Sequence, residues 1–294
     1  MTPSGGDYAP AVALLPDHLA HAYLELLGLD LRPGEVDSVS LAVLQRTHLE
    51  RVPYETLDIV RGAPPGIDPH ACARRVVGGR GGYCYHLNGA FASLLEWLRV
   101  DVTRHLAGVQ GSDVPEPPGA NGNHLGLTVR MPDGESWLVD AGLGTGPAVP
   151  IPLTEGVHEQ DGFRYELRPS PVAPGGWRFE HDPRGGWLRF DMASGPATTE
   201  DFLAMHAELS TGRFARVVTA QRHAGRRLEI LRGCVYTEVD GAVRAQDVTD
   251  PDDWWGLVLG HFGLAYGDLT THEREALWRR VHDTHLAWDT AGRP

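Results

Sequence analysis

The stretch RGGYCYHLN, residues 80–88, decides how this chain is read. Two glycines precede an aromatic residue and a cysteine. From Cys84 onward, CYHLNGAFASLLEWL (84–98) carries apolar side chains at helical spacing. Cys84 therefore stands in the first turn of a helix. A thiol there faces unpaired N–H groups and the positive end of the helix dipole, and both favour the thiolate. Gly81 and Gly82 permit a close backbone approach just before the sulfur. An isolated cysteine is more often a buried, inert apolar residue. The helix start and the double glycine argue instead for a nucleophile.

A nucleophilic cysteine needs a base, and the base needs a group to orient it. His124 follows the loop sequence GANGN and opens a strand, HLGLTVRM (124–131). Asp140 closes the next apolar run, SWLVD, immediately before the glycine-rich AGLGTGP. A carboxylate in that place is costly to bury without a partner. The PDG turn at 132–134 joins the two strands into a hairpin. The expected register puts residue 128 opposite 140, with 124 one or two pairs beyond. Taken alone, one of fifteen histidines and one turn aspartate would be ordinary structural residues. Together with Cys84 they form a candidate Cys-His-Asp relay.

The bulk composition is that of an ordinary globular chain, with 41% hydrophobic and 22% charged residues. A net charge of −13 argues against nucleic-acid and anionic-membrane binding. No apolar run approaches the roughly 18 residues of a membrane span. The opening MTPSGGDYAP lacks a basic stretch followed by an apolar one, so the expected location is cytoplasmic. Cys72, Cys84 and Cys234 are widely spaced, with no CxxC, which fits a reducing compartment and argues against a structural zinc site. The motif GLGTGPA (142–148) lacks the lysine and spacing of a nucleotide-binding loop, and its glycines are expected to give room at a cleft.

The 294 residues suggest two or three packed parts. Residues 17–28, 37–51 and 84–98 read as helices, with PYETLDIVRGAPPGIDP (53–69) as a loop between them. Strands are expected over 100–110, 124–131, 135–144, 176–182 and 186–192, forming an antiparallel sheet or small barrel, with 111–123 as a loop. A helix near 199–210, strands near 215–221, 226–232 and 234–239, and helices near 251–262 and 271–284 complete the pattern. The fold class is α+β, with expected divisions at 1–99 for a helical bundle carrying the cysteine, 100–197 for a β-barrel carrying His124 and Asp140, and 198–294 for an α/β lid.

RGGYC with Asn88 four positions on, the single His124, LVDAGLG, the earlier RVPYETLDI and the later LSTGRFARVVTAQR with GRRLEILRG resemble the arylamine N-acetyltransferases. The resemblance runs in order from about residue 15 to about 280. It implies a bundle, barrel and lid, with a core like that of cysteine proteases, and a triad of Cys84, His124 and Asp140. The implied reaction is ping-pong: acetyl-CoA or another acyl-CoA acylates the cysteine, and an aromatic amine or hydrazine takes the acyl group. No permanently bound cofactor or metal is implied. Glu55 and Arg80 are expected to pair and fix the loop before Cys84, with Asn88 as further support. Tyr54, Asn123, Leu143 and Gly144 are implied at the substrate, and Thr211 and Arg213 at CoA, with Arg216 and Arg222 as further cations of the lid segment. The chain departs from the family pattern at Thr56, where Asn is usual, at His86, where Glu or Gln is usual, and at Leu143, where an aromatic residue often lines the acceptor pocket. Two other readings share the triad chemistry. One is an amide synthase that moves a polyketide acyl chain from a carrier protein to an aryl amine; the other is a cysteine hydrolase.

Overall fold

The chain is built around the helix that begins at Cys84. The computed structural model describes residues 14–293, so the opening MTPSGGDYAP lies outside the described residues. Helices α1 (Asp17–Leu27), α2 (Ser38–Arg51), α3 (Leu57–Val60), α4 (Pro69–Val77) and α5 (Cys84–Trp97), with a short strand β1 (Tyr54–Glu55), make the first part. α1 ends at Gly28, whose φ of 65° closes the helix in the left-handed conformation. α2 starts on Asp37, whose carboxylate accepts the Ser40 N–H at 2.8 Å. In α5 every residue but Glu96 is buried, so it is a central helix with no solvent-facing stripe.

The segment 53–69 is not a continuous loop. It contains β1 and α3, and Asp68 caps α4 by accepting the Ala71 N–H at 2.7 Å, with Pro69 at the first helical position.

The second part is an eight-stranded antiparallel sheet, curled into a nearly closed barrel. Its strands are β2 (Asp101–Gly111), β3 (His124–Arg130), β4 (Ser136–Val139), β5 (Ile151–Pro152), β6 (Gly156–Gln160), β7 (Phe163–Pro169), β8 (Trp177–Glu180) and β9 (Trp187–Met192). Their spatial order is β5-β4-β3-β2-β9-β8-β7-β6. The β3–β4 hairpin turns about Asp133, with Gly134 at φ 91° and the Met131 N–H donating to Glu135 O at 2.8 Å. Leu127 therefore faces Val139, a register shifted from the expected pairing of 128 with 140.

The remaining chain forms α6 (Leu203–Thr211), then strands β10 (Thr219–Ala224), β11 (Arg227–Arg232), β12 (Val235–Val239) and β13 (Val243–Asp247), then α7 (Pro251–Trp255) and α8 (Thr271–Thr290). A π-helical stretch, Gly256–His261, follows α7. α8 runs six residues past the expected end at 284. β10 pairs antiparallel with β1, so the five-stranded sheet β1-β10-β11-β12-β13 has its edge inside the first part. Separate apolar clusters fill the bundle, the barrel and the space under α7 and α8; the first includes Leu125, Leu127 and Val129 of β3 and so fastens the barrel to α5. No helix among the described residues is long and apolar enough to cross a membrane.

Burial sets a pH window for this fold. Desolvation pushes His48 and His86 down to about 3, and His223 down to about 4. Their folded values lie below the unfolded value, so the unfolded chain binds more protons below about pH 6.5, and stability falls on acidification by about 1.4 kcal/mol per group per pH unit. His124, raised to about 10, has the opposite sign: its contribution is complete below about pH 6.5 and is lost as pH rises towards 10. Urea melts followed by circular dichroism should therefore give a midpoint that peaks near neutrality and drops steeply towards pH 5. A flat profile between pH 7 and 5 would contradict the buried neutral histidines.

Candidate active site

Three elements converge on one point: the first turn of α5, the first residue of β3 and the residue that follows β4. His124 Nε2 donates to Asp140 Oδ2 at 2.6 Å, and both side chains are buried. Cys84 is close enough to His124 to act on its charge. Burial pulls the imidazole down, but the Asp140 charge and its hydrogen bond, with Cys84 adding to both effects, raise it to about 10. At neutral pH the ring is therefore an imidazolium. The Cys84 Sγ also lies 3.8 Å from Asn123 O, and the residue is 5% exposed.

Asp140 is held on every side. Its Oδ1 accepts from Asn88 Nδ2 at 3.0 Å and from the Gly142 N–H at 2.7 Å. Its own N–H donates to Gln45 Oε1 at 3.2 Å. Asn88 lies one helical turn after Cys84 and spends its whole amide here. Nδ2 also donates to Leu125 O at 2.7 Å, and Oδ1 accepts the Ala141 N–H at 2.8 Å. Asn88 thus binds the helix of Cys84 to the strand of His124 and the loop of Asp140. Gln45 Nε2 donates to Pro147 O at 2.9 Å, so that one side chain spans both ends of the loop 140–147.

The glycines before and after the sulfur are sterically required. A Cβ on Gly81 would sit 1.9 Å from Pro53 O, and one on Gly82 would sit 2.5 Å from the His86 Cβ. A Cβ on Gly142 would lie 2.8 Å from the Cys84 Cα. At Gly144, with φ 71°, it would meet Gln221 Oε1 at 2.1 Å and Tyr54 Cβ at 3.2 Å. His86 is buried and neutral. Its Nδ1 accepts the Tyr83 N–H at 3.3 Å and its Nε2 faces Pro65 O at 3.3 Å, so it braces the helix start.

The other expected residues divide. Tyr54 is half-buried, its Cβ beside Gly144, and burial pushes its phenol well above the ordinary value. Leu143 is 8% exposed and packs in the barrel's apolar cluster. The Asn123 amide is spent on β2, with Oδ1 accepting the Val109 N–H at 2.7 Å and Nδ2 donating to Val109 O at 3.1 Å; only its main-chain oxygen faces the sulfur. Thr211 Oγ1 donates back to Ala207 O at 2.8 Å. Arg213 pairs with Asp113 at 3.1 Å at the surface, and Arg222 with Glu229 at 2.8 Å.

The expected Glu55–Arg80 pair does not form. Glu55 pairs with Arg75 at 2.5 Å, and Arg80 lies between the exposed Asp268 at 2.6 Å and the buried Asp58 at 3.4 Å. Arg75 reaches Glu55 because α4, which lies between the expected loop 53–69 and the expected helix 84–98, carries it to the back of the RGG turn. Arg75 and Gln45 are the residues sequence reasoning missed. For Arg75 the signal was the Asp68-Pro69 cap, which marks a helix start; for Gln45, nothing local marks a contact made 95 residues away.

The N-acetyltransferase family profile matches residues 39–269. The chain is 28% identical over 285 residues to the arylamine N-acetyltransferase of Mycolicibacterium smegmatis, covering 89% of this chain and 98% of that protein. It is 36% identical over 151 residues to proansamycin X synthase of Amycolatopsis mediterranei (strain S699), covering 49% of this chain and 56% of that one. Against several curated relatives, including this synthase, the matched region spans only about half of their length. The structure of Mycobacterium marinum arylamine N-acetyltransferase in complex with CoA superposes with a TM-score of 0.81 at 23% identity, covering 90% of this chain and 99% of that one, which is a likeness of fold. On the extent of the profile match, the chain belongs to the arylamine N-acetyltransferase family.

Proposed function

We propose that this protein is an acyltransferase in which Cys84 carries the acyl group between a CoA thioester and an aromatic amine or hydrazine. The observation that carries the reading is the buried line from Asp140 through His124 to Cys84. The His124 imidazolium supplies the counter-charge for a Cys84 thiolate. The thiolate attacks the thioester carbonyl, and the tetrahedral oxyanion then collapses by expelling the CoA sulfur, which His124 protonates. The backbone N–H of Cys84 has no acceptor among the described residues and is free to bind the oxyanion. In the second half the amine attacks the Cys84 thioester, neutral His124 takes its proton, and the sulfur leaves as thiolate. Asp140 holds the ring throughout and stabilises its charged form. A relative of the same fold has been solved with CoA, which supports CoA as the donor.

Within the acyl-transfer reading, the match to proansamycin X synthase and the aliphatic Leu143 favour a second donor class: a larger acyl chain delivered by a carrier protein.

Incubating the protein with acetyl-CoA and recording its intact mass tests the first reading. One acetyl group should appear on Cys84 and discharge when an aromatic amine is added; Cys84→Ser should show neither. Loading from a carrier-protein thioester but not from acetyl-CoA would select the amide synthase. Rapid CoA release without an amine would select the hydrolase.

Asp140→Asn should keep the fold but lower turnover by about 10²–10⁴-fold, since the ring loses both its orientation and its counter-charge. Asn88→Ala, which frees the Ala141 N–H and the Leu125 carbonyl, removes about 1–3 kcal/mol of buried hydrogen bonding. If that loss falls on the reacting geometry, kcat drops roughly 10–100-fold with KM little changed. Single-turnover acylation rates for both variants check these values, and wild-type rates would remove Asp140 or Asn88 from the mechanism.

A further inference from the structure

The turn that presents Cys84 is held from behind by one guanidinium. Arg75 Nε donates to Gly81 O at 2.6 Å, its NH1 to Asp58 Oδ2 at 2.5 Å, and its NH2 to Glu55 Oε1 at 2.5 Å and to the Tyr266 hydroxyl at 3.1 Å. The side chains are 12% exposed for Arg75, 1% for Glu55 and 5% for Asp58. The partner main chain is equally fixed, since the Glu55 N–H donates to Gly82 O at 2.9 Å and Gly81 lies flat against Pro53. The peptide that leads into Cys84 is thus clamped between Arg75 and β1.

Arg80, in the motif itself, reaches neither the Gly81 carbonyl nor Glu55; it touches the clamp only through NH1, 3.4 Å from the Asp58 Oδ2 that Arg75 holds at 2.5 Å. Its Nε donates to Ala265 O at 3.1 Å, its NH2 goes to Asp268, which is 68% exposed, and its guanidinium lies 4.4 Å above the Tyr266 ring. Pairs with so exposed a partner contribute little. The C-terminal segment has a closer hold on the turn: the Ala265 N–H donates to Gly79 O at 2.8 Å, and the Tyr266 hydroxyl, fully buried, donates to Glu55 Oε1 at 3.1 Å.

We propose that Arg75, completed by Tyr266, is the positioning residue that sets Cys84 against His124, and that Arg80 of the motif does not serve this role. The proposal rests on Cys84 being the nucleophile of the reaction above. Arg75 never touches substrate. It acts by fixing the Gly81 carbonyl and, through it, the direction in which α5 begins.

The test measures Cys84 itself. Alkylation by iodoacetamide, followed by peptide mass, needs no acyl chemistry and reports the sulfur's setting across a pH series. Arg75→Lys keeps the charge but loses the fork, and Tyr266→Phe removes only a hydroxyl, so both should fold. Expected at pH 7 is a fall in alkylation rate of about tenfold for Arg75→Lys and about two- to fivefold for Tyr266→Phe, with Arg80→Gln within about twofold of wild type. The pH midpoint of alkylation should move in the same order, and acetyl loading from acetyl-CoA should fall in step. If the wild-type protein takes no acetyl group but the alkylation order holds, the acyl-CoA reading fails and the role of Arg75 stands. Wild-type alkylation profiles in both Arg75→Lys and Tyr266→Phe, with only thermal stability reduced, would overturn the proposal. So would an Arg80→Gln effect as large as that of Arg75→Lys.

Discussion

The carboxamide of Asn88 is the interaction on which the rest of the site depends. It makes bonds to Leu125 O, to Asp140 Oδ1 and from the Ala141 N–H, from a position one turn along the helix that begins at Cys84. A helix, a strand and a loop from distant parts of the chain are thereby fixed to one rigid planar group. No apolar contact could do this, because dispersion sets distance without setting direction. An amide fixes both, and only asparagine at this spacing matches a donor and an acceptor to the two neighbouring main chains.

That rigidity has an electrostatic purpose. A buried imidazolium and carboxylate cost several kcal/mol each to desolvate, and their mutual attraction repays this only when the remaining lone pairs are satisfied. Asp140 meets the condition through Asn88 Nδ2, the Gly142 N–H and His124 Nε2. His124 meets it through Asp140 and, with Cys84 nearby, is held well above its ordinary value as a result. The same logic operates behind the RGG turn. Burial would push the Asp58 carboxyl up, but the Arg75 charge and hydrogen bonds from Arg61 and Arg75 hold it below its ordinary value. Two buried ionic networks therefore flank the sulfur, one in front and one behind.

Much of this was legible in the sequence because Cys84, His124 and Asp140 stand at element boundaries, where turn chemistry is strongest. Cys84 follows a double glycine, His124 follows Gly-Asn, and Asp140 precedes Ala-Gly. The hairpin register slipped because Pro132, Asp133 and Gly134 form a turn centred on Asp133 and not between 133 and 134. The β6–β7 hairpin escaped notice although Asp161-Gly162 is its sign: both residues have positive φ, 54° and 84°, as a type I′ turn demands. Arg75 was invisible for another reason. The short α4 follows the proline- and glycine-rich 53–69, only its Asp68-Pro69 cap marks it in the sequence, and the resemblance places the Glu55 pair on the arginine of the motif instead.

The displacement of that pair from Arg80 to Arg75 changes what the family motif means in this chain. Glycines 81 and 82 are dictated by sterics, since a methyl group at either would collide with Pro53 or His86. The motif arginine is not so dictated, and here it stacks on Tyr266, pairs with the exposed Asp268 and comes no closer than 3.4 Å to the buried Asp58. Its place in the clamp is taken by a residue five positions earlier, on a helix whose cap and first-turn proline are written in the sequence. In this chain the Gly81 carbonyl takes a guanidinium held by two buried carboxylates, and α4 is the element that brings it there.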